Sequence, residues 1–433
     1  MRRRELFDGS TAGTYKWFVV GMLWWVCFFN YADRQAIFSL FPLLKSELQL
    51  SDVQLGIAGS SFMWMYAVAG PFAGWICDLV PRRLLILGGL MLWSAATAGT
   101  AHSHGFAELV AWRALGGLAE AFYFPASMSL ISDYHAVDTR SRAMSIHQSS
   151  VYVGSAAGGA ISGMIGQQFG DWRVSFVLFG GLGIVLALVL WTLLREAPRG
   201  LSDHSITPVN SGLGLPTRVA KVLSRESVLL LVAAFIGANF VAVLFLSWMP
   251  SFLYRRFHLG LAMSGINGTL YLSVASCVGT LVGGWLADSL TTRAMRRTGE
   301  PRGSRMLTQS FGLLAGAPFL FLAGYGTRLT TVVIAMTFFG LCKGVYDSNI
   351  WAALYDVVPI EQRGTAVGVM NSLGWLGGGL APVAIAVAAA RFGMGPCISA
   401  TAAIYFGFGM LLYASARRRT TLVPPHVWAQ QGN

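Results

Sequence analysis

Asp133-Tyr-His-Ala-Val-Asp138-Thr-Arg140-Ser-Arg142-Ala143 returns as Asp356-Val-Val-Pro-Ile-Glu361-Gln-Arg363-Gly-Thr-Ala366, with acid, acid, base and alanine at identical intervals. Each copy closes a hydrophobic stretch. Gly74-Trp-Ile-Cys-Asp78 and Gly284-Trp-Leu-Ala-Asp288 repeat in the same way at another boundary, and a basic cluster follows each. Two echoes at matching junctions mean that the chain is built as two halves on one pattern.

The segments between these junctions are apolar. Of 433 residues, 55% are apolar and only 12% charged, which excludes an ordinary soluble domain and fits a polytopic membrane protein. Runs long enough to cross about 30 Å of hydrocarbon lie at roughly 16–43, 53–79, 84–103, 107–134, 142–168, 173–194, 227–254, 262–289, 306–326, 329–355, 364–390 and 396–416. The expectation is an all-α membrane protein with twelve transmembrane helices in two six-helix bundles, the N-terminal one over residues 1–194 and the C-terminal one over 227–416. Between them, residues 195–226 carry Pro198, Gly200, Pro208, Gly212, Gly214 and Pro216 and read as a cytoplasmic linker; residues 417–433 read as a tail. The first run is too long for a signal peptide and no small-residue cleavage site follows it, so it is expected to stay in the mature chain.

Basic residues sort by loop. The odd-numbered connections hold only Lys45, Arg173, Arg255, Arg256, Arg328 and Arg391, while the even connections and both tails hold most of the others. The positive-inside rule then places both termini in the cytoplasm. Topology and anionic lipid headgroups account for the net charge of +12, and no nucleic-acid motif accompanies it. Cys27, Cys77, Cys277, Cys342 and Cys397 lack metal-ligand spacing and read as packing residues. No cofactor or metal is implied. A membrane enzyme or sensor finds no support, since no nucleophile–base or phosphate-cradle motif is present.

Six ionisable residues fall inside the apolar runs: Asp33, Arg34, Arg113, Glu120, Lys343 and Asp347. Charge in hydrocarbon is costly, so each needs a partner or a function. Arg113 and Glu120 are seven apart, about two turns of helix, and share a face. They read either as a fixed ion pair or as a proton-loading acid beside a cation in a wet cavity. Asp33 and Arg34 are adjacent, so they leave their helix about 100° apart and serve different partners. Lys343 and Asp347 have the spacing of a self-neutralising pair; alternatively Lys343 adds positive potential to the second half.

Tyr31, Tyr123, Gln148, Asn239, Tyr346 and Asn371 are further polar candidates for substrate contact, each equally readable as a helix-joining residue. His147 reads as a packing histidine before a titrating one. Gly154, Gly158, Ser162 and Gly166, with Gly374 and Gly378 on the equivalent segment, form small-residue stripes expected where the two halves slide past each other. The junction charges Asp78 with Arg82, Arg83, Arg140 and Arg142, and Asp288 with Arg293 and Arg363, read as cytoplasmic latches between helices, effective only as a network.

Gly74, Asp78, Arg82 and Arg83 resemble the loop motif of the major facilitator superfamily, although Leu79 and Pro81 replace its usual basic residue and glycine. Within it, Asn30-Tyr-Ala-Asp33-Arg34, Arg113-x6-Glu120 with Phe124-Pro125, Gly283-Gly-Trp-Leu-Ala-Asp288 and Asn371-Ser-x-Gly374 resemble the anion:cation symporters. The first two patterns and the Arg195-Glu-Ala-Pro-Arg-Gly200 tail also resemble Spinster-type lysolipid and sphingolipid carriers. The symporter resemblance implies Asp33 and Glu120 as proton sites and Arg34 and Arg113 as contacts for a small organic anion. It also implies alternating access in a plasma (inner) membrane, protons, anion and bilayer being the partners of a monomer.

Overall fold

Residues 9–135, 137–198, 215–298, 303–358 and 362–418 are described by the computed structural model. Among them every regular element is a helix. The first half comprises α1 (Gly9–Ser39), α2 (Phe41–Glu47), α3 (Asp52–Leu79), α4 (Arg82–Thr100), α5 (Phe106–Glu120), α6 (Tyr123–Tyr134), α7 (Val137–Phe169) and α8 (Arg173–Leu193). The second comprises α9 (Leu215–Leu223), α10 (Glu226–Phe257), α11 (Leu261–Thr298), α12 (Ser304–Tyr325), α13 (Leu329–Asp347), α14 (Ile350–Tyr355), α15 (Arg363–Phe392), α16 (Met394–Ala400) and α17 (Ala402–Arg418). Helix α9 lies within the stretch read as a linker.

Local chemistry sets several of these boundaries. Ser51 accepts from the Gln54 amide while the Gln54 side chain accepts from the Ser51 amide, a reciprocal cap that starts α3. Gly170, at φ +66°, ends α7 in the left-handed conformation that costs a residue without Cβ least. The membrane segment spanning α5 and α6 breaks directly after Glu120, because Pro125 has no N–H to offer the Ala121 carbonyl four residues back.

Nine helical stretches of the described residues are long and apolar enough to cross a membrane. Helices α1, α3 and α7, which coincide with three further expected spans, have 31, 28 and 33 residues but are less apolar. Their polar side chains explain this: Asn30, Asp33, Arg34 and Gln35 on α1, Ser60 and Ser61 on α3, and His147, Ser150 and Ser162 on α7 are all buried in protein. A helix whose neighbours satisfy its polar groups has no need of a uniformly apolar surface.

Two compact units emerge. The first gathers the described residues within Met1–Ser211, Asn239–Val274 and Asn371–Met394; the second holds those within Gly212–Ala238, Ala275–Met370 and Gly395–Asn433. In the first, Val19, Leu23 and Val26 of α1 join Ile86, Leu90 and Trp93 of α4 and Leu130 of α6 in one apolar core.

The small-residue stripe of α7 packs on α1, within the first half. A Cβ at Gly154 would lie 2.5 Å from the Phe28 carbonyl oxygen, and one at Gly158 would lie 2.6 Å from Ala32 Cα. This corrects its assignment to a sliding surface between halves. The neighbouring face makes that contact instead: a Cβ at Gly159 would meet Thr269, and one at Gly163 the Leu261 carbonyl at 2.7 Å, both on α11. Likewise Gly378 faces Asn239 of α10, and it is Gly379 that meets Trp64 of α3.

Because α1 and α7 touch backbone to backbone at Gly158, Gly158→Val is expected to destabilise the protein by at least about 1–3 kcal/mol through overpacking. Gly21→Ala, with nothing within 4 Å of the added carbon, should be tolerated. Thermal unfolding in detergent checks both; equal melting of the two variants would contradict the packing.

Candidate functional site

Helices α1 and α5 bring four charges into one buried cluster of the first unit, where rings of α3 and α15 stand beside them. Asp33 is 5% exposed, Arg34 6%, Arg113 3% and Glu120 1%, so water satisfies none of them well. Arg34 Nη2 donates to Glu120 Oε1 in an ion pair that joins α1 to α5. Glu120 therefore pairs with Arg34 and not with its own helix partner Arg113. Asp33 turns the other way and accepts from Thr97 Oγ1 of α4 at 3.0 Å, so the adjacent residues serve different partners.

Arg113 has no ion-pair partner among the described residues. Its Nε and Nη2 donors also lack hydrogen-bond partners, and these lie on one edge of the guanidinium, the edge that meets a carboxylate two-pronged. Glu120 Oε2 and Asn30 Nδ2 are buried without partners too. The Phe62 ring lies 4.7 Å from Arg113 Cζ and 4.8 Å from Arg34 Cζ, serving both cations. Gly117 makes this possible, since its missing side chain lets the Phe62 carbonyl of α3 press against α5.

The remaining candidates divide. Tyr31 stacks on Arg34 at 4.6 Å. Tyr123 is engaged otherwise: its hydroxyl donates to the Leu23 carbonyl at 2.7 Å and meets His147 Nε2 at 2.8 Å. With the tyrosine proton directed at Leu23, the imidazole must donate through Nε2, leaving Nδ1 bare and buried without a partner. Gln148 keeps an unpartnered buried Oε1. Asn239 donates to the Gly374 carbonyl at 2.7 Å, joining α10 to α15. Asn371 is half-buried. In the second unit Lys343 pairs directly with Asp347, the self-neutralising arrangement, and Tyr346 is buried beside them.

Among the described residues the junction charges make these contacts. Arg82 meets Asp133, the amides of Arg82 and Arg83 donate to Glu196 at 3.0 and 2.7 Å, and Arg83 donates to the Trp191 carbonyl. Arg140 reaches the His135 carbonyl at 3.1 Å and Arg142 lies 5.5 Å from the Trp17 ring. Arg305 meets Asp356 at 2.7 Å, whereas Asp288 and Arg293 are exposed. The side chains of Asp78 and Arg363 lie outside the described residues. The acids in these pairs are Asp133 and Asp356, and their equivalent places in the duplicated motif were the signal for them.

An ion cluster that the sequence did not flag lies at an odd-loop end: Asp52 accepts from Arg255 Nη1 and Nη2 at 2.9 and 2.8 Å and from Lys45 Nζ at 2.7 Å. It ties the start of α3 to the end of α10.

A family model described as Major Facilitator Superfamily matches residues 23–382. Among curated relatives, Protein spinster homolog 1 of Homo sapiens is 29% identical over 364 residues, covering 80% of this chain and 68% of that protein. The Hexuronate transporter of Bacillus subtilis (strain 168) is 25% identical over 358 residues, covering 82% and 83%. The D-galactonate transporter of an Escherichia coli O6:H1 strain is 25% identical over 406 residues, covering 89% and 92%. The crystal structure of a bacterial homolog to human lysosomal transporter, Spinster, inward-facing and unoccupied, superposes with a TM-score of 0.78, covering 95% of this chain and 99% of that one; at 22% identity it establishes the fold.

The Arg255 hydrogen bonds, with Lys45, hold the Asp52 carboxyl down at about 2. A lowered acid contributes its contact above the ordinary carboxylate range and loses it as pH falls toward the lowered value. Between about pH 5 and 8 the Asp52 carboxylate therefore stays ionised. The melting difference between wild type and Asp52→Asn in detergent should be constant across that window and shrink only in stronger acid; a difference that changes from pH 8 to 5 would refute the assignment.

Proposed function

The chain belongs to the major facilitator superfamily, an integral multi-pass family of transporters, and on that premise we propose that it is a proton-coupled symporter of a small organic anion. Sugar acids and aromatic carboxylates are the substrate classes in view. One observation carries the reading: Arg113, 3% exposed, presents a two-pronged donor edge with no ionic partner beside an arginine that has one. A buried cation whose nearest acids, Asp33 and Glu120, make no direct ion pair with it is costly, and a carboxylate is the ligand that relieves it best.

The roles follow. Arg113 receives the anion. Glu120, when ionised, neutralises Arg34; when protonated it releases Arg34 to add a second prong to the substrate. Asp33, supported by Thr97, is the second proton site. Proton and anion thus favour each other, because each makes the other's site available. The twelve-span topology with cytoplasmic termini, the bundles at 1–194 and 227–416 joined by 195–226, residence in an inner membrane and a monomeric state belong to the same proposal. Similarity to the hexuronate and D-galactonate transporters supports the substrate class.

A second reading, an amphipathic lysolipid- or drug-type carrier, is favoured by the similarity to Protein spinster homolog 1. Competition separates the two: a lysolipid that displaces the anion at submicellar concentration would favour it.

Uptake into proteoliposomes with an acidic exterior is the test. Wild type should accumulate a member of an organic-acid panel only when the pH gradient is present. Arg113→Lys, which keeps the charge but loses the fork, should weaken uptake about tenfold or more. Glu120→Gln should abolish gradient-driven accumulation yet retain anion exchange. Accumulation by Glu120→Gln, or wild-type uptake indifferent to the gradient, would end the proposal.

A further inference from the structure

Arg34 is surrounded by rings. Its Cζ lies 4.6 Å from the Tyr31 centroid, 4.8 Å from Phe62, 5.1 Å from Tyr66 and 4.8 Å from Trp375. Tyr66 and Trp375 brace each other edge to face at 5.6 Å. Only Nη2 of the guanidinium has a hydrogen-bond partner, the Glu120 carboxylate; Nε and Nη1 are buried without one. Hydrogen bonds therefore leave much of this cation unmatched, and the π faces around it are the remaining source of negative potential.

We propose that Tyr31, Phe62, Tyr66 and Trp375 form an aromatic cage that holds the Arg34 charge in place while Glu120 is protonated. The inference rests on the proton role assigned to Glu120 above and adds what makes that role workable. A proton on Glu120 removes the direct ion-pair partner of Arg34. Without a substitute, the unpaired guanidinium would oppose the proton's arrival. The rings interact more strongly with a bare cation than with one already neutralised by a carboxylate, so they favour the protonated state over the ion-paired one. The cage is a set of positioning residues: it acts on the proton site through Arg34. Phe62 extends the effect to Arg113, whose cation shares its ring.

The ionisable groups facing Glu120 are Cys27, Asp33 and Arg34 of α1, Tyr66 of α3 and Arg113 of α5, with Tyr31 of α1 next to Arg34. Substitutions confined to Phe62 and Trp375 leave all six of these unchanged.

The test titrates the full-length protein in lipid and follows the protonated-carboxyl infrared band that disappears in Glu120→Gln. Phe62→Leu and Trp375→Leu should each lower the proton affinity of Glu120 roughly threefold to tenfold, moving the midpoint to more acid pH. Phe62→Tyr and Trp375→Phe should bring it back toward wild type. Should the leucine variants fail to fold, fluorinated phenylalanines at position 62 preserve shape while draining the π face, and the midpoint should fall with each added fluorine. Leucine variants titrating as wild type, or a midpoint indifferent to fluorination, would overturn the cage. The readout needs no substrate, so failure to find a transported anion would sink the symport reading without touching this result.

Discussion

The buried cluster of the first unit turns on the cost of burying the Arg34–Glu120 ion pair next to a second arginine that makes no direct ion pair. A buried pair gains strong attraction but loses hydration, and removing one partner leaves a costly bare charge. In the proposed cycle the removal is a step, because a proton on Glu120 would take it out of the pair. The rest of the geometry makes that step tolerable. Gly117 brings α3 against α5 so that Phe62 stands beside both cations, and Gly158 brings α7 against α1, the helix that carries Asp33 and Arg34.

The two halves began from one pattern and diverged at the charges. The shift that carries Asp133 onto Asp356 also carries Glu120 onto Lys343 and Tyr123 onto Tyr346. In its own unit, Glu120 reaches across to another helix and is almost fully buried. In its own unit, Lys343 is answered by Asp347 one turn away on the same helix and stays partly exposed. An intrahelical pair does not depend on how helices pack, whereas an interhelical one does. That difference is why the proposed proton role is assigned to Glu120 and not to the Lys343–Asp347 pair.

Much of this was legible in the sequence. The all-helical apolar character, the burial of Asp33, Arg34, Arg113 and Glu120 and the divergence of Asp33 from Arg34 follow from periodicity and spacing, and the described residues agree on these; nine of the expected spans are long and apolar enough to cross a membrane, and the compact units cut across the sequence halves. Pairing was not legible. Spacing placed Glu120 over Arg113, but a seven-residue interval says only that two side chains share a face, and Arg34 on α1 offered the shorter contact. The glycine stripe of α7 announced close approach without saying to which neighbour. Phe62, Tyr66 and Trp375 carried no signal, since aromatics on apolar helices look like packing until a cation is found among them. Asp52 and Arg255 are 203 positions apart, and no local pattern joins residues at that distance. Asp133 and Asp356 were visible as a repeat; their partners were not.

The central claim is that the proton on Glu120 and the anion on the arginines are thermodynamically linked. Calorimetric titration of an organic anion that wild type transports, repeated in buffers of different ionisation heat, measures the protons taken up per anion bound. The account predicts net proton uptake at a pH above the Glu120 transition, and uptake smaller by about one proton in Glu120→Gln under the same conditions. Anion binding whose heat is independent of the buffer, or proton uptake undiminished in Glu120→Gln, would contradict it.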